Sequence, residues 1–588
     1  MAVGELKVES VMTVLNGMNQ SIDETLLSDS QFVLGSNVTS RRGLIKTRPG
    51  WEEIKRLAAS GKYQGGFFYE TNSLNQFIFG VDGHVWAMNM STLALTDHGL
   101  LLSATSDVFY FEKVDQYCVI QDDYYPATWA AANWPVIIDG AALYDQSALQ
   151  ASNPEQACPK GGPMAYVHGR LYTAVPYTFS GVVPTANAGL TGFIAGDIIK
   201  AHAKDDVLKH TSTNYLNSGG RIIPSQELGY IYAMGSQRNI KGGVDQGPLI
   251  VGFERGFISY QVNAPRSQWS TIDFGKVMFS GTGTKSSRAF VNSNSDIVYR
   301  SLDGWRTLSS ADSQFGGVTL DNEPISSEVR VLVDVDDKTA LPFMSAAKTN
   351  NRFLMSVNAG DNNTFGGLIS FDVSPVSAID QNTKPIYDGV WTGYDFYEVL
   401  MAEYADQDRI MAVVRDADGA IRLIYLDEDA YRDEGASDIG MKCELPYKHF
   451  TNPFISKKFR YAEFLLSDIK DDITLKAYYR PDHYEYWASM TTATIKADAS
   501  GTNQKRKIIR LVPLDPVPAD PVDNSCLDSG YMFQFAIEGT GHFRIDRMRF
   551  FAEEIHGDYD PSPTETFTVT LAAGTGLTTI DHYDYEVT

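Results

Sequence analysis

Three stretches of the sequence carry residue types that could do chemistry, and each departs from the spacing that chemistry needs. In VVRDADGAIRLIYLDEDA (413–430), Asp416, Asp418 and Gly419 resemble part of a calcium-binding loop. The first ligand would then be Val414 and the twelfth Tyr425, so an EF-hand cage cannot form. Asp-Gly between apolar runs predicts a hairpin turn instead. SGTGTKSS (280–287) is glycine-rich but lacks the spacing and the Lys-Ser/Thr pair of a phosphate cradle, and reads as a flexible turn. SLDGWRTL (301–308) approaches a sialidase-type Asp-box, but Gly304 and Trp305 follow Asp303 too soon.

Other reactive constellations are sparse. VDVDDK (333–338) and SDIKDD (467–472) could supply the carboxylate pair of a glycosidase, yet such runs belong mostly to solvated turns. The ten histidines are scattered, with no HExxH and no paired Cys/His spacing for zinc. Cys118, Cys158, Cys443 and Cys526 lie far apart and read as reduced, buried thiols. These residues predict no enzyme, no cofactor and no metal.

The elements that position these residues are read from composition and pattern. A chain of 588 residues calls for two or three domains. Its 31 Tyr, 30 Phe and 49 Gly favour pleated, half-buried strands joined by tight turns. The first residues lack the basic start and apolar core of a secretory signal. Nowhere do 18 apolar residues run together, so no membrane span is expected. With 73 acidic against 49 basic residues, the net charge of −24 argues against a protein that grips nucleic acid by its phosphates. It does not exclude one that lets nucleic acid slide past.

Seven hairpins of similar shape follow one another, centred near residues 83, 115, 169, 256, 294, 351 and 407. Repeated hairpins predict an all-β fold with little helix, most simply a β-propeller of four-stranded blades over 51–450. A sandwich with insertions is the alternative. The stretch 189–220 reads as a long inserted loop. From 451 to 555 the clean alternation of DDITLKAYYRPDHYEYW and YMFQFAIEG predicts an antiparallel β-sandwich. In GHFRIDRMRFFAEE the apolar phase slips between Ile545 and Met548, which predicts a bulge. The C-terminal arm, 556–588, has strand-like runs but too little bulk to fold alone. It needs a host surface, expected on a neighbouring chain.

The N-terminal segment, 1–50, holds the densest basic cluster. SNVTSRRGLIKTRPGW (36–51) places Arg41, Arg42, Lys46 and Arg48 within eight residues and closes on Pro49-Gly50-Trp51. The stretch LNGMNQSIDETLLSDSQFVLGSNVTSRRGLIKTRPGWEEI (15–54) resembles the N-terminal signature of tail nozzle (tail tubular) and tail-hub propellers of short-tailed bacteriophages. The matching elements are Gly17 to Asn19, Asn37, Gly43-Leu44 and Arg48-Pro49-Gly50. ELGYIYAMGSQRNIKGGVDQGPLIVGFERGFISYQV and the late strands KFRYAEFLL, ITLKAYYR and GHFRIDRMRFF extend the likeness, in order, over most of 15–555. The resemblance has no counterpart for 185–220 or for 556–588.

The resemblance implies a structural virion protein, made in the host cytoplasm and built into the tail. A ring of identical subunits, a hexamer, would sit below the portal and a head-to-tail adaptor, with tail fibres as further partners. It would retain the packaged genome and form the ejection channel, passing double-stranded DNA without binding it tightly. Arg41, Arg42, Arg48 and Trp51 are then candidate interface residues, closing the propeller or docking on an acidic neighbouring ring. Ordinary solvated strand charges explain the same arginines. Two rival functions remain in view: a tail-tip receptor-binding propeller and a propeller glycosidase.

Overall fold

Aromatic and β-branched runs punctuated by Gly, Asn and Asp fold almost wholly into strands in the computed structural model. It describes residues 6–555 except 12–15, 72–73, 123–133, 146–157, 177–188, 197–220, 238–246, 265–267, 294–295, 316–322, 374–384, 497–505, 515–526 and a few single positions. Several hairpin turns have two successive residues in the left-handed region: Asp82-Gly83, His168-Gly169, Asn350-Asn351 and Ala405-Asp406. That is the type I′ geometry whose twist matches paired strands.

Among the described residues, seven groups of antiparallel strands follow one another from residue 63 to 427, the first five as separate sheets and the last two joined within one larger sheet. Blade one runs from Tyr63–Thr71 to Leu95–Leu100, and blade two from Phe109–Val114 to Ala142–Asp145. Blade three begins at Met164–Val167, blade four at Ile231–Ser236 and blade six at Ala346–Thr349. Blade five has three strands, starting at Phe290–Ser293, with the helix Leu308–Phe315 packed beside them. Blade seven comprises Asp395–Tyr404, Gln407–Arg415 and Ile421–Asp427, and its fourth strand comes from the other end of the sequence. Gly50–Ala58 pairs antiparallel with Ile421–Asp427, from Gly50↔Asp427 to Ala58↔Ile421.

The blades close into a ring, and every neighbouring pair shares apolar residues. Val85 of blade one meets Phe109 of blade two; Val114 of two meets Leu171 of three; Phe193 of three meets Val251 of four. Ile250 of blade four meets Ile297 of five, and Trp305 of five joins Phe353 of six. Leu368 of blade six packs with Val399 of seven, and Tyr397 of seven returns to Phe77 and Phe79 of one. This is the architecture of a β-propeller, established by strand pairing and ring closure.

The stretch 189–220 departs from its reading as a loop at its start. Leu190–Ala195 is the third strand of blade three, and Arg221–Ile222, just past the stretch, is its fourth. The rest, 197–220, lies outside the described residues, as does the arm 556–588.

Beyond the ring, two further sets of antiparallel strands contribute buried residues to one cluster. The first contains Lys507–Leu511, Lys457–Ser467, Arg544–Glu554, Ile45–Thr47 and Val38–Thr39, with Leu6–Val11 on the far side of Arg544–Glu554. The second contains Ile473–Pro481, Phe533–Thr540, Gly440–Glu444 and Leu34–Ser36. Phe535 and Phe550 stack between them at 3.9 Å. The register of Arg544–Glu554 against Lys457–Ser467 skips Asp546, so the phase slip is a bulge. The second sheet does not end at the domain's edge, because Leu34–Ser36 also bridges to Val390 of blade six.

Candidate functional site

The N-terminal signature is consumed in one buried junction where blade six, blade seven and the outer sheets meet. Asn37 takes a left-handed conformation (φ 53°) that turns its carboxamide towards blade six. Its side chain donates to Thr392 Oγ1 (3.1 Å) and Gly440 O (2.9 Å), and accepts from Thr392 N–H (2.7 Å). Arg48 lies beside it, buried, and all five guanidinium donors are used. Nε donates to Asn37 Oδ1 (2.9 Å), Nη1 to Asp433 Oδ1 (2.8 Å) and Pro49 O (2.9 Å), and Nη2 to Asp433 Oδ2 (2.7 Å) and Thr392 O (3.0 Å). A bidentate fork of this kind fixes orientation as well as charge.

The residues after Arg48 are shaped by the same junction. A Cβ on Gly50 would stand 2.0 Å from the carbonyl oxygen of Arg432, so the chain enters blade seven only as glycine. Trp51 N–H donates to Asp433 Oδ1 (3.0 Å), and its ring is buried against Phe396 at 5.8 Å. Asp388 accepts from Ser40 N–H (2.7 Å), Ser40 Oγ (2.9 Å) and Ser370 Oγ (2.9 Å), fastening the preceding turn to blade six.

Arg48 and Trp51 thus come together inside the chain. Arg41 stands apart at the surface, paired with Asp372 at 3.0 Å and donating to Asn350 O at 2.7 Å. The backbone of Arg41–Gly43 forms a short 3₁₀ turn; the side chain of Arg42 lies outside the described residues.

The second charged centre is the middle of the ring. A cavity of about 520 Å³ is lined by all seven blades, including Phe67, Glu112, Met164, Met234, Arg288, Lys348 and Glu398. Glu398 is buried, accepts from Tyr63 Oη (2.8 Å) and Gly66 N–H (3.1 Å), and faces Arg288 at 3.4 Å. Burial raises its pKa, with Arg288, Tyr63 and Gly66 pulling the other way. Arg288 also donates to Gln64 O at 2.5 Å, so the group ties blades one, five and seven across the axis. Glu112 accepts Tyr166 N–H from blade three at 2.9 Å. Desolvation pushes its pKa up to about 7, against the pull of that N–H.

Asp336 of VDVDDK, expected in a solvated turn, is buried beyond the helix Arg330–Asp334, faces Arg300 at 3.7 Å and accepts the Asn358 N–H at 2.7 Å, whereas two other stretches with reactive residue types are turns. Asp416, Asp418 and Gly419 join two strands of blade seven, with Gly419 N–H on Asp416 O (2.9 Å) and Asp418 paired with Arg56 (3.1 Å). Ser301 caps the turn before Trp305 by donating to Gly304 O at 2.8 Å, and Asp303 pairs with Arg306 at 2.6 Å. Among the described residues, no three His, Cys, Asp or Glu side chains are placed to hold a metal ion.

Glu112, Glu398, Arg288 and Asp433 were not singled out from sequence. A local signal existed for Glu112, an acid directly after Phe109-Tyr110-Phe111, and for Glu398 inside DFYEVLM. None existed for Asp433, which is 385 residues from Arg48.

No known family profile matches the chain, and no curated protein does. Among solved structures, the chain is similar to the β-propeller domain of Cps50 (Swd1) from Myceliophteria thermophila, at 10% identity and a TM-score of 0.33. That likeness covers 64% of this chain and 100% of the other. It is too distant to bear on function.

Proposed function

We propose that the chain is the wall subunit of a phage tail nozzle, a hexameric ring below a head-to-tail adaptor through which DNA leaves the capsid. The observation that carries the reading is the convergence of its N-terminal signature. Of the residues of the resemblance, Gly17 to Asn19, Asn37 and Arg48-Pro49-Gly50 lie in or beside the core that joins ring to outer sheets, while Gly43-Leu44 ends the short turn between them. Met18 is in that core, and Asn19 donates its backbone N–H to Phe32 O at 2.9 Å. The two outer sheets are read, within this proposal, as a β-sandwich domain that packs against neighbouring copies.

DNA passes between copies in this reading, not along the propeller axis. Side chains already reach across the middle of the ring, where Arg288 holds Glu398 at 3.4 Å and Tyr63 donates to Glu398 at 2.8 Å. The net charge of −24 suits a wall that repels phosphates over a Debye length of about 8 Å. The deciding experiment is the mass of the assembled protein together with an electron-microscopic image of it. Six copies around a bore wide enough for a duplex are expected. A stable monomer, a trimer, or a bore lined with Lys and Arg overturns the proposal.

A further inference from the structure

The first strand of every blade contributes to the wall of the central cavity, and the two buried acids on that wall are treated differently. Glu398 is answered by Arg288 at 3.4 Å, by Tyr63 Oη and by Gly66 N–H. Glu112 is not. Its Oε1 accepts Tyr166 N–H at 2.9 Å, and among the described residues nothing donates to Oε2 and no cation pairs with it. Part of the side chain stays accessible, and the space it meets is the cavity. A carboxyl stripped of water and given no cation is pushed up to about 7. One acceptor in the middle of the ring is thus left open.

The rest of the wall indicates what fits that acceptor. Arg288 and Glu398 cancel, and Glu112 and Asp408 against Lys348 then leave one net negative charge. Phe67 and Phe111, both half-buried on the wall, lie parallel with centroids 6.1 Å apart. The face of such a ring attracts a cation, and a ligand carboxylate would meet Glu112 as a like charge. A volume of about 520 Å³ suits a small organic molecule. Asn350 and Asp408 are exposed and Met401 is 53% exposed, which puts an entrance between the hairpin turns of blades six and seven.

We propose that the centre of the propeller binds a small organic primary ammonium ion, which donates to Glu112 Oε2 and lays its carbon groups against Phe67 and Phe111. The site uses one chain's ring alone, so it stands or falls separately from the nozzle reading. The titratable groups around Glu112 are Cys118 on the next strand, kept neutral by burial, Tyr166 of blade three, and Arg288, Lys348, Glu398 and Asp408 on the cavity wall. Because the ammonium favours the ionised carboxyl, binding below about pH 7 must first release the Glu112 proton.

Titration calorimetry on the full-length protein tests this, with benzylamine as the probe and benzyl alcohol and benzoate as its neutral and anionic counterparts. Methyl resonances of Met164 and Met234 on the cavity wall report where the probe sits, with Met411 in the joint between blades seven and one as the control. At pH 8 benzylamine is expected to bind one to one, shift Met164 and Met234 but not Met411, and bind about tenfold or more tighter than either counterpart. Glu112→Gln, which removes an unpaired charge and keeps the fold, should lose that advantage while its weak affinity for benzyl alcohol stays the same. Below pH 7 the wild-type affinity should fall by up to ~tenfold per pH unit, and that of Glu112→Gln should not. No saturable binding of benzylamine at millimolar concentration overturns the proposal, as do equal affinities for the three probes. Unchanged affinity in Glu112→Gln, or a shift at Met411 in place of Met164 and Met234, overturns it too.

Discussion

Between blades, burial is divided into small units: Phe77 and Phe79 with Tyr397 at one joint, Phe257 with Tyr299 at another. Under the outer sheets it is continuous. Phe459, Phe535, Ile537 and Phe550 share one cluster with Phe353, Phe371 and Trp305 of blades five and six. A ring of divided cores depends on its closure, because opening one joint frees the blades on either side. A continuous core spreads the same loss over many neighbours. The Arg48 junction is where the two designs are joined, since it holds both the closing strand of blade seven and the turn into the first outer sheet.

The comparison is broken most directly at that junction. Asp433→Ala leaves the Arg48 guanidinium buried without its carboxylate, and losing one partner of a buried pair costs about 3–5 kcal/mol. Urea unfolding should show that loss, with Gly50–Ala58 among the first segments to exchange its amides. A loss under about 1 kcal/mol would mean that water or another acid replaces Asp433 and that the junction is not what joins ring and sheets.

Two titrating groups sharpen the contrast because they act with opposite sign. An unfolded glutamate titrates near ~4.3; Glu112 in the ring titrates near about 7 because it is stripped of water. Between those values the folded protein holds a proton that the unfolded chain has lost, so stability falls as pH rises through the window. Above it the full cost remains. Glu112→Gln should therefore be more stable than wild type at pH 8, by about 1–3 kcal/mol from ~1.4 kcal/mol per pKa unit discounted for water in the cavity, and equal to it near pH 4. Equal stability at both ends would place Glu112 in contact with bulk water.

His542 does the reverse in the outer sheets. Burial, aided by Lys46 and Lys470, lowers its pKa to about 4, and Asp468 at 3.4 Å only partly opposes them. Between about 4 and an unfolded value near ~6.5 the unfolded chain binds the extra proton, so stability is lost as pH falls through that range. His542→Gln should flatten this part of the pH profile, by about 1–3 kcal/mol at pH 4, and leave stability at pH 8 nearly unchanged. If the profile stays as steep, other groups carry the acid sensitivity of the sheets.

Much of the ring was legible because its information is local. Each of the seven hairpins read from turn residues falls in a different blade, and at Asp82-Gly83, His168-Gly169 and Asn350-Asn351 two successive left-handed residues make the turn without help from distant ones. What was not legible is pairing at long range. Nothing near Gly50–Ala58 says that it completes a sheet begun at Asp395, and nothing near Arg48 points to Asp433. From the sequence Arg48 reads as a solvated charge or as a residue that closes the propeller or docks on a neighbouring ring; its five-fold satisfaction inside the chain, next to the strand that pairs with the last blade, depends on three segments meeting. Leu190–Ala195 escaped notice for another reason. Gly192 interrupts its apolar run, and the strand is held by its partner Arg170–Pro176 rather than by its own propensity.

The smallest expected effect uses the same pair of residue types in the opposite setting. Arg330 and Asp334 pair at 2.9 Å across one helical turn, with side chains 72% and 51% exposed, whereas Arg48 is 1% exposed. In water the attraction between two such charges is about 1 kcal/mol at 4 Å, and ordering two long side chains offsets much of it. Arg330→Ala should therefore cost only about 0.3–0.5 kcal/mol, and less as salt is added. Asp433→Ala should keep its full cost in salt, because ions do not reach a buried pair. Unfolding both variants at low and high ionic strength measures the difference. If the two respond alike to salt, Arg48 is open to solvent, and the junction between ring and sheets is looser than its hydrogen bonds imply.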